Sequence, residues 1–216
     1  MKVDPKQLTL YAVTDRTWLN GRTLEEAVEE ALKGGATFVQ LRDKHEPYEK
    51  KKKSAIALQS LCRKYGVPFV IDDDVELAAE VDADGVHVGQ DDMAYEKARE
   101  ILGEGKIIGV TAHNLKEAVR AWKQGADYIG SGAAFGSSTK TDAGCIDREE
   151  YGRITSAVDI PVVAIGGINK DNIEQLYGYG LAGASIISGI FAAENIEETC
   201  RELRALAEKL PEQNLK

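Results

Sequence analysis

Eight short β-rich runs alternate with helical patterns from one end of the chain to the other, and this alternation restricts the fold more than any other feature. The runs are residues 8–14, 38–42, 68–71, 85–89, 107–111, 128–132, 161–166 and 184–188. Each is mostly Val, Ile, Leu, Phe, Ala and Tyr, with the length and continuity of buried parallel strands. Apolar residues recur at three- and four-residue spacing over 114–124, 169–179 and 194–210, which predicts helices there. Thr23-Leu-Glu-Glu26 reads as a capping box. Gly34, Gly66, Gly125 and Gly180 stand where helices are expected to stop. Strand–helix alternation of this kind specifies a parallel α/β fold. Eight units in 216 residues suit a closed (β/α)8 TIM barrel. A weak two-unit repeat supports closure: Gly35-Ala-Thr37, Asp82-Ala-Asp84, Gly125-Ala-Asp127 and Leu181-Ala-Gly183 each precede an even-numbered strand. The open doubly wound alternative usually carries a Gly-rich turn after its first strand. Here that strand runs into Thr14-Asp15-Arg16. No linker divides the chain, so residues 1–216 are expected to form one barrel domain.

Composition removes several classes. Apolar residues make up 43% of the chain, too many for a disordered one, and no apolar stretch is long enough to span a bilayer. The first ten residues include Asp4 and Pro5 and no apolar stretch, so no signal peptide is expected. A formal charge of −9 argues against nucleic acid or an anionic membrane as partner. Cys62, Cys145 and Cys200 form no C-x-x-C pattern and are expected to be reduced thiols of a cytoplasmic protein. The lysine run 50–53 reads as a solvated helix face.

In such a barrel, chemistry collects at the C-terminal ends of the strands. After the second strand, period two places Gln40, Arg42 and Lys44 on one side, offering an amide and two cations to an anion. Asp72-Asp-Asp74 follows the third strand and Gln90-Asp-Asp92 the fourth. Asp74 and Asp92 can serve as helix N-caps. Converging beside the cations, these carboxylates also suit Mg2+, which takes few carboxylates together with substrate phosphate. Thr111 and His113 follow the fifth strand. Ser137-Ser-Thr-Lys140 follows the sixth and can cradle a phosphate. Gly166, Gly167 and Ser188, after the last two strands, match the recurrent phosphate site of barrels. His87, on a strand, is expected to be packed and hydrogen-bonded. Two anion sites in one mouth, one metal-assisted and one glycine-lined, point to an enzyme joining or exchanging two phosphorylated small molecules.

Six segments carry a resemblance. They are Leu10-Tyr-Ala-Val-Thr-Asp15, Val39-Gln-Leu-Arg-Asp-Lys44, Ala83-Asp-Gly-Val-His-Val-Gly-Gln-Asp-Asp92, Gly125-Ala-Asp-Tyr-Ile-Gly130, Ser137-Ser-Thr-Lys140 and Ala164-Ile-Gly-Gly-Ile168. In this order they resemble the thiamine-phosphate synthase family. The resemblance implies a Mg2+-dependent (β/α)8 transferase. Such an enzyme joins 4-amino-5-hydroxymethylpyrimidine diphosphate to thiazole phosphate and releases diphosphate. It assigns Gln40, Arg42 and Lys44 to the pyrimidine diphosphate, Asp73 and Asp92 to Mg2+, and Lys140 and the Thr111 hydroxyl to the diphosphate. It assigns Ser137, Thr139, Gly167, Ile187 and Ser188 to the thiazole phosphate. Arg42, Lys44 and Lys140 would stabilise the leaving diphosphate.

One position departs from that pattern. The family usually has Asn where this chain has Asp72, and a carboxylate accepts hydrogen bonds but does not donate them. Three rivals remain at this stage. One is a thiazole tautomerase, in which a His near position 113 acts. The others are a non-catalytic ligand-binding paralogue and another phosphate-barrel isomerase. The set Gln40, Arg42, Lys44, Asp73, Asp92 and Lys140 favours the synthase, because a tautomerase needs no diphosphate or metal site.

Overall fold

A computed structural model describes residues 3–136 and 145–212. Eight parallel strands close into a barrel in sequence order: β1 (Leu10–Val13), β2 (Phe38–Leu41), β3 (Phe69–Asp72), β4 (Gly85–Val88), β5 (Ile107–Ala112), β6 (Tyr128–Gly132), β7 (Val162–Ile165) and β8 (Gly183–Ile186). Closure comes from β8 pairing with β1, with Ala184 opposite Leu10 and Ile186 opposite Ala12. The outer helices are α1 (Leu24–Lys33), α2 (Tyr48–Tyr65), α3 (Val75–Glu80), α4 (Tyr95–Leu102), α5 (Leu115–Gln124), α6 (Arg148–Ala157), α7 (Ser188–Phe191) and α8 (Ile196–Ala207). No helix among the described residues is long and apolar enough to cross a membrane.

The strands read as continuous apolar runs because both faces are covered. Leu10, Ala12, Val39, Leu41, Ile71 and Ile129 pack outward against the helices. Tyr11, Val13, Phe38, Val70, Ile107, Tyr128 and Val163 fill the barrel interior. Inside, the rings of Tyr11, Phe38 and Tyr128 meet edge to face at centroid distances of 4.7, 5.6 and 5.9 Å. Such contacts add to the free energy of their burial.

The repeat has a structural cause. Ala36, Ala83 and Ala126 are buried, and their amides bond back to Ala31, Ala78 and Ala121 at the ends of α1, α3 and α5. The next residue ties the strands together. Thr37 Oγ1, Asp84 Oδ2 and Asp127 Oδ2 accept the amides of Leu10, Phe69 and Ile108 at 2.9, 2.8 and 2.9 Å. Three of the four pairs of units are thus pinned at the start of the odd-numbered strand, remote from the mouth; the fourth has Gly183 at that position, and Ala182 N bonds Val162 O instead.

The capping box forms as expected: Thr23 Oγ1 accepts from Glu26 N at 3.1 Å, and Glu26 accepts from Thr23 N at 2.8 Å. Asp74 caps α3 and Asn114 caps α5. Four expectations change. The helix over 169–179 shrinks to a single 3-10 turn, Ile173–Leu176. Asn172 and Asn169 accept the amides of Asn169 and Asp171, so the side chains compete with the helical ladder. Gly180 therefore ends no helix. Asp92 caps none either, since α4 starts after Ala94 and the Asp92 carboxylate accepts from Gly89 N at 2.7 Å. The lysine run is partly an ion-pair seam, with Lys51 on Asp74 and Lys52 on Glu80, while Lys50 pairs with Glu46 and stays mostly exposed.

Candidate active site at the strand C-termini

Because side chains alternate along a strand, Val13, Gln40, Asp72, His87, Thr111, Ile165, Ser185 and Ile187 all turn into the top of the barrel. With Arg42, Asp73, His113, Gly166, Gly167 and Ser188 they line a single cleft. Most residues expected at the site therefore converge on one mouth.

The β1–β4 side carries the charge. Arg42 is held by Asp15, Nη1 to Oδ2 at 2.9 Å, while its Nε lies 3.9 Å from Asp72 Oδ2. Lys44 Nζ lies 2.7 Å from Asp73 Oδ2 and 3.9 Å from Asp72 Oδ2. Burial alone would lower the Lys44 ammonium. The Asp73 hydrogen bond and the two carboxylate charges outweigh burial and leave it raised, so Lys44 is a fixed cation. Asp73 takes a left-handed backbone, φ +60°, which Asp tolerates better than most residues, and its amide bonds His87 O at 2.9 Å. This turn swings the Asp73 carboxylate against Asp92. Burial raises the Asp92 carboxyl above its ordinary value, and the facing Asp73 raises it further, against the Gly89 amide and the charge of Lys44.

Two carboxylates pressed together beside one lysine suit a divalent cation. Among the described residues no set of three or more His, Cys, Asp or Glu side chains forms a metal cage. A pair of carboxylates open to a ligand is the arrangement Mg2+ uses when substrate phosphate completes its shell.

The opposite wall is built from backbone. Gly166 and Gly167 both have positive φ, +99° and +65°. A Cβ on Gly167 would stand 2.6 Å from Gly136 O and 2.7 Å from Phe135 O. Only glycine lets the turn after β7 pass so close to the loop after β6. Ser188 opens α7 directly after β8, beside this turn.

Sequence reasoning missed two features. Ser185 lies on β8 two residues before Ile187, is 3% exposed, and its Oγ makes no hydrogen bond among the described residues. The same holds for Arg42 Nε. Both are buried donors available to a ligand. The other feature is a polar chain through the barrel interior. Gln40 Nε2 donates to Asp72 Oδ1, and Tyr11 donates to Gln40 Oε1 at 2.6 Å. Tyr11 and Tyr128 hydroxyls are 2.8 Å apart. His87 joins Tyr128 through Nδ1 at 3.0 Å and Thr111 through Nε2 at 2.9 Å. The signal for it was the glycine series Gly109 and Gly130 on β5 and β6, which leaves room for Tyr128 and His87. His113 sits at the rim, its Nδ1 3.0 Å from Glu117. Ser137, Thr139 and Lys140 lie outside the described residues.

A parallel (β/α)8 barrel with a cationic, carboxylate-bearing mouth facing a glycine-lined turn belongs to the barrel enzymes that handle phosphorylated small molecules. The family model described as thiamine monophosphate synthase matches residues 10–190, and the chain belongs to that family. It is 47% identical over 206 residues to the thiamine-phosphate synthase of Clostridium botulinum (strain Eklund 17B / Type B), covering 94% of this chain and 95% of that one. It is 43% identical over 201 residues to the thiamine-phosphate synthase of Fusobacterium nucleatum subsp. nucleatum, covering 93% and 98%. The solved thiamine phosphate pyrophosphorylase from Pyrococcus furiosus superposes with a TM-score of 0.88 at 41% identity, over 95% of this chain and 98% of that one. Thiamine-phosphate synthases are transferases.

Proposed function

We propose that this chain, acting as one domain in the cytoplasm, is a thiamine-phosphate synthase. It joins 4-amino-5-hydroxymethylpyrimidine diphosphate to thiazole phosphate and releases diphosphate. The observation that carries the reading is the gathering of Arg42, Lys44, Asp73 and Asp92 on one wall, with Lys44 paired to Asp73 and Arg42 to Asp15, opposite the Gly166–Gly167 turn and Ser188 on the other.

The reacting bond is the pyrimidine methylene C–O bond. As it breaks, negative charge builds on the departing diphosphate. Arg42 Nε, a buried and unsatisfied donor among the described residues, and Lys44, a fixed cation, stabilise that charge without reorganising. Asp15 holds the guanidinium in place. Asp73 and Asp92 would hold Mg2+, which when bound supplies further positive charge to the diphosphate. Gln40 and Asp72 face the pyrimidine, where Asp72 accepts from its amino group. Gly167, Ile187 and Ser188 seat the thiazole phosphate, so that the thiazole nitrogen is placed to attack the methylene carbon. Thr111 faces the diphosphate. Ser137, Thr139 and Lys140 complete the two anion sites in this reading. No side chain serves as nucleophile.

The test is turnover. Purified protein with both phosphorylated substrates and Mg2+ is expected to form thiamine phosphate, read as its fluorescent oxidation product, and EDTA is expected to stop it. Absence of product from folded protein that binds both ligands would overturn the reading.

A further inference from the structure

The interior chain of hydrogen bonds has a direction, and one residue sets it. We infer that Asp72 fixes the tautomer of His87 and the orientation of the Thr111 hydroxyl through five consecutive hydrogen bonds, making Tyr11, Tyr128 and His87 positioning residues for the mouth.

The argument is one of donors and acceptors. A carboxylate at Asp72 only accepts, so Gln40 must turn its NH2 toward it. The Gln40 carbonyl then faces Tyr11, whose hydroxyl must donate to it. Having spent its one hydrogen, Tyr11 accepts from Tyr128. Tyr128, its hydrogen spent in turn, accepts from His87, which must carry a proton on Nδ1. A neutral imidazole protonated there has a lone pair on Nε2, and Thr111 donates to it. Burial holds both tyrosines well above their ordinary value, so neither ionises and the chain keeps its hydrogens. An Asn at position 72 can offer either its oxygen or its NH2 to Gln40, and would leave the direction open.

The consequence falls at Thr111. Its hydrogen points into the barrel, and its lone pairs face the mouth. It therefore meets an anion through a water that donates to both, not as a direct donor. This last step rests on the proposed synthase reading; the tautomer does not.

The experiment is imidazole 15N NMR on histidine-labelled protein. Of His45, His87 and His113, the His87 signals are identified by their loss in His87→Gln. A neutral His87 protonated on Nδ1 is expected. A proton on Nε2, or a doubly protonated ring, overturns the inference. In Tyr128→Phe the Nδ1 acceptor is gone, and the proton is expected to move to Nε2; an unmoved proton overturns the relay. Thr111→Val tests the same point without touching the aromatic core. The direction set by Asp72 persists there, so Nδ1 is expected to keep its proton, and a shift to Nε2 would show the tautomer to be set locally by Thr111. In Tyr128→Phe the Thr111 hydrogen is freed. Inorganic diphosphate, measured by calorimetry, is then expected to bind about tenfold tighter, the size of one hydrogen bond to a charged group. Unchanged affinity with a moved proton overturns the assignment at Thr111. Failure of the wild-type protein to bind diphosphate at all would count against the synthase reading and leave the tautomer result standing.

Discussion

A Cβ placed on Gly109 would stand 2.1 Å from Cζ of Tyr128, the neighbouring ring inside the barrel. Gly109 is thus the counterpart of Tyr128, a missing side chain on β5 that admits a large one on β6. Gly109→Ala is expected to displace that ring and the hydrogen bonds it carries to Tyr11 and His87. Overpacking of this kind costs about 1–3 kcal/mol. Urea unfolding followed by circular dichroism should show the loss, and an unchanged midpoint would mean that the ring has somewhere else to go.

Asp127 joins two neighbours of β6. Its Oδ2 accepts from Ile108 N and from Arg99 Nη2, both at 2.9 Å, at a site where both side chains are about nine-tenths buried. Asp127→Ala leaves the Ile108 amide and Arg99 Nη2 without this acceptor and the guanidinium without its carboxylate, although Arg99 Nη1 keeps the Gly103 and Lys106 carbonyls. A loss of about 3–5 kcal/mol is expected, the range for breaking a buried ion pair. Since Asp127 lies at the foot of the barrel, kcat of whatever folds should stay near that of the unaltered protein.

In the proposed reaction, Arg42 and Lys44 meet the negative charge that builds on the departing diphosphate as the C–O bond breaks. Lys44→Ala and Arg42→Ala are each expected to lower kcat by about 10²–10³, as removal of one preorganised donor does. Asp15→Asn loosens the Arg42 guanidinium without removing it and should fall between these variants and the unaltered enzyme. Steady-state kinetics with both substrates decides the order, and an Asp15→Asn enzyme as slow as Arg42→Ala would contradict it.

Mg2+ binding at Asp73 and Asp92 should be visible without catalysis. At about a hundredfold excess over Kd, binding stabilises the fold by ~2.7 kcal/mol. For a chain of this size that raises the thermal midpoint by about 5–10 °C. Asp92→Asn is expected to abolish the Mg2+ response. Without metal it should melt slightly higher than the unaltered protein, because a neutral amide no longer faces Asp73. A Mg2+ shift that survives in Asp92→Asn would move the metal elsewhere.

Alkaline pH should unfold the protein from within. Burial pushes the thiols of Cys62 and Cys200 up to about 12 from 9.0, and raises Tyr151, Tyr11 and Tyr128 above 10.0. In the unfolded chain these groups lose their protons near their ordinary values, while the folded chain retains them. The unfolded state then binds fewer protons, so stability falls as pH rises from about 9 toward 12. A flat denaturation midpoint across that window would refute the burial argument. Thiol titration gives a second check. At neutral pH, Ellman's reagent should react quickly with the exposed Cys145 and reach Cys62 and Cys200 only after unfolding.

How far the sequence was legible follows from local physics. Parallel strands covered on both faces are apolar without interruption, so all eight were visible, with ends one or two residues off where the chain leaves the ladder. The apolar spacing over 169–179 is real, but Asn169 and Asn172 spend their side chains on local turns and the long helix does not form. At the mouth, Gln40, Arg42, Lys44, Asp72 and Asp73 were readable from period two and strand ends. Ser185 was not, since one hydroxyl on an apolar strand looks the same whether it faces a helix or the barrel axis. The chain from Gln40 to Thr111 was hidden for another reason. Counted from Asp72, its members lie on six strands, and only barrel closure brings them together.

That closure also bears on how the protein is made. β1 has β8 as its neighbour, and Leu10 waits for Ala184. On the ribosome, nearly the whole chain must emerge before the first strand finds its second partner. Until then the nascent barrel has two raw edges, and the walls of the mouth, Arg42 on one and Ser188 on the other, belong to a surface that does not yet exist. Translation that stops short of β8 should therefore yield a sticky, open sheet for chaperones or proteases to clear, with no partly working enzyme among its products.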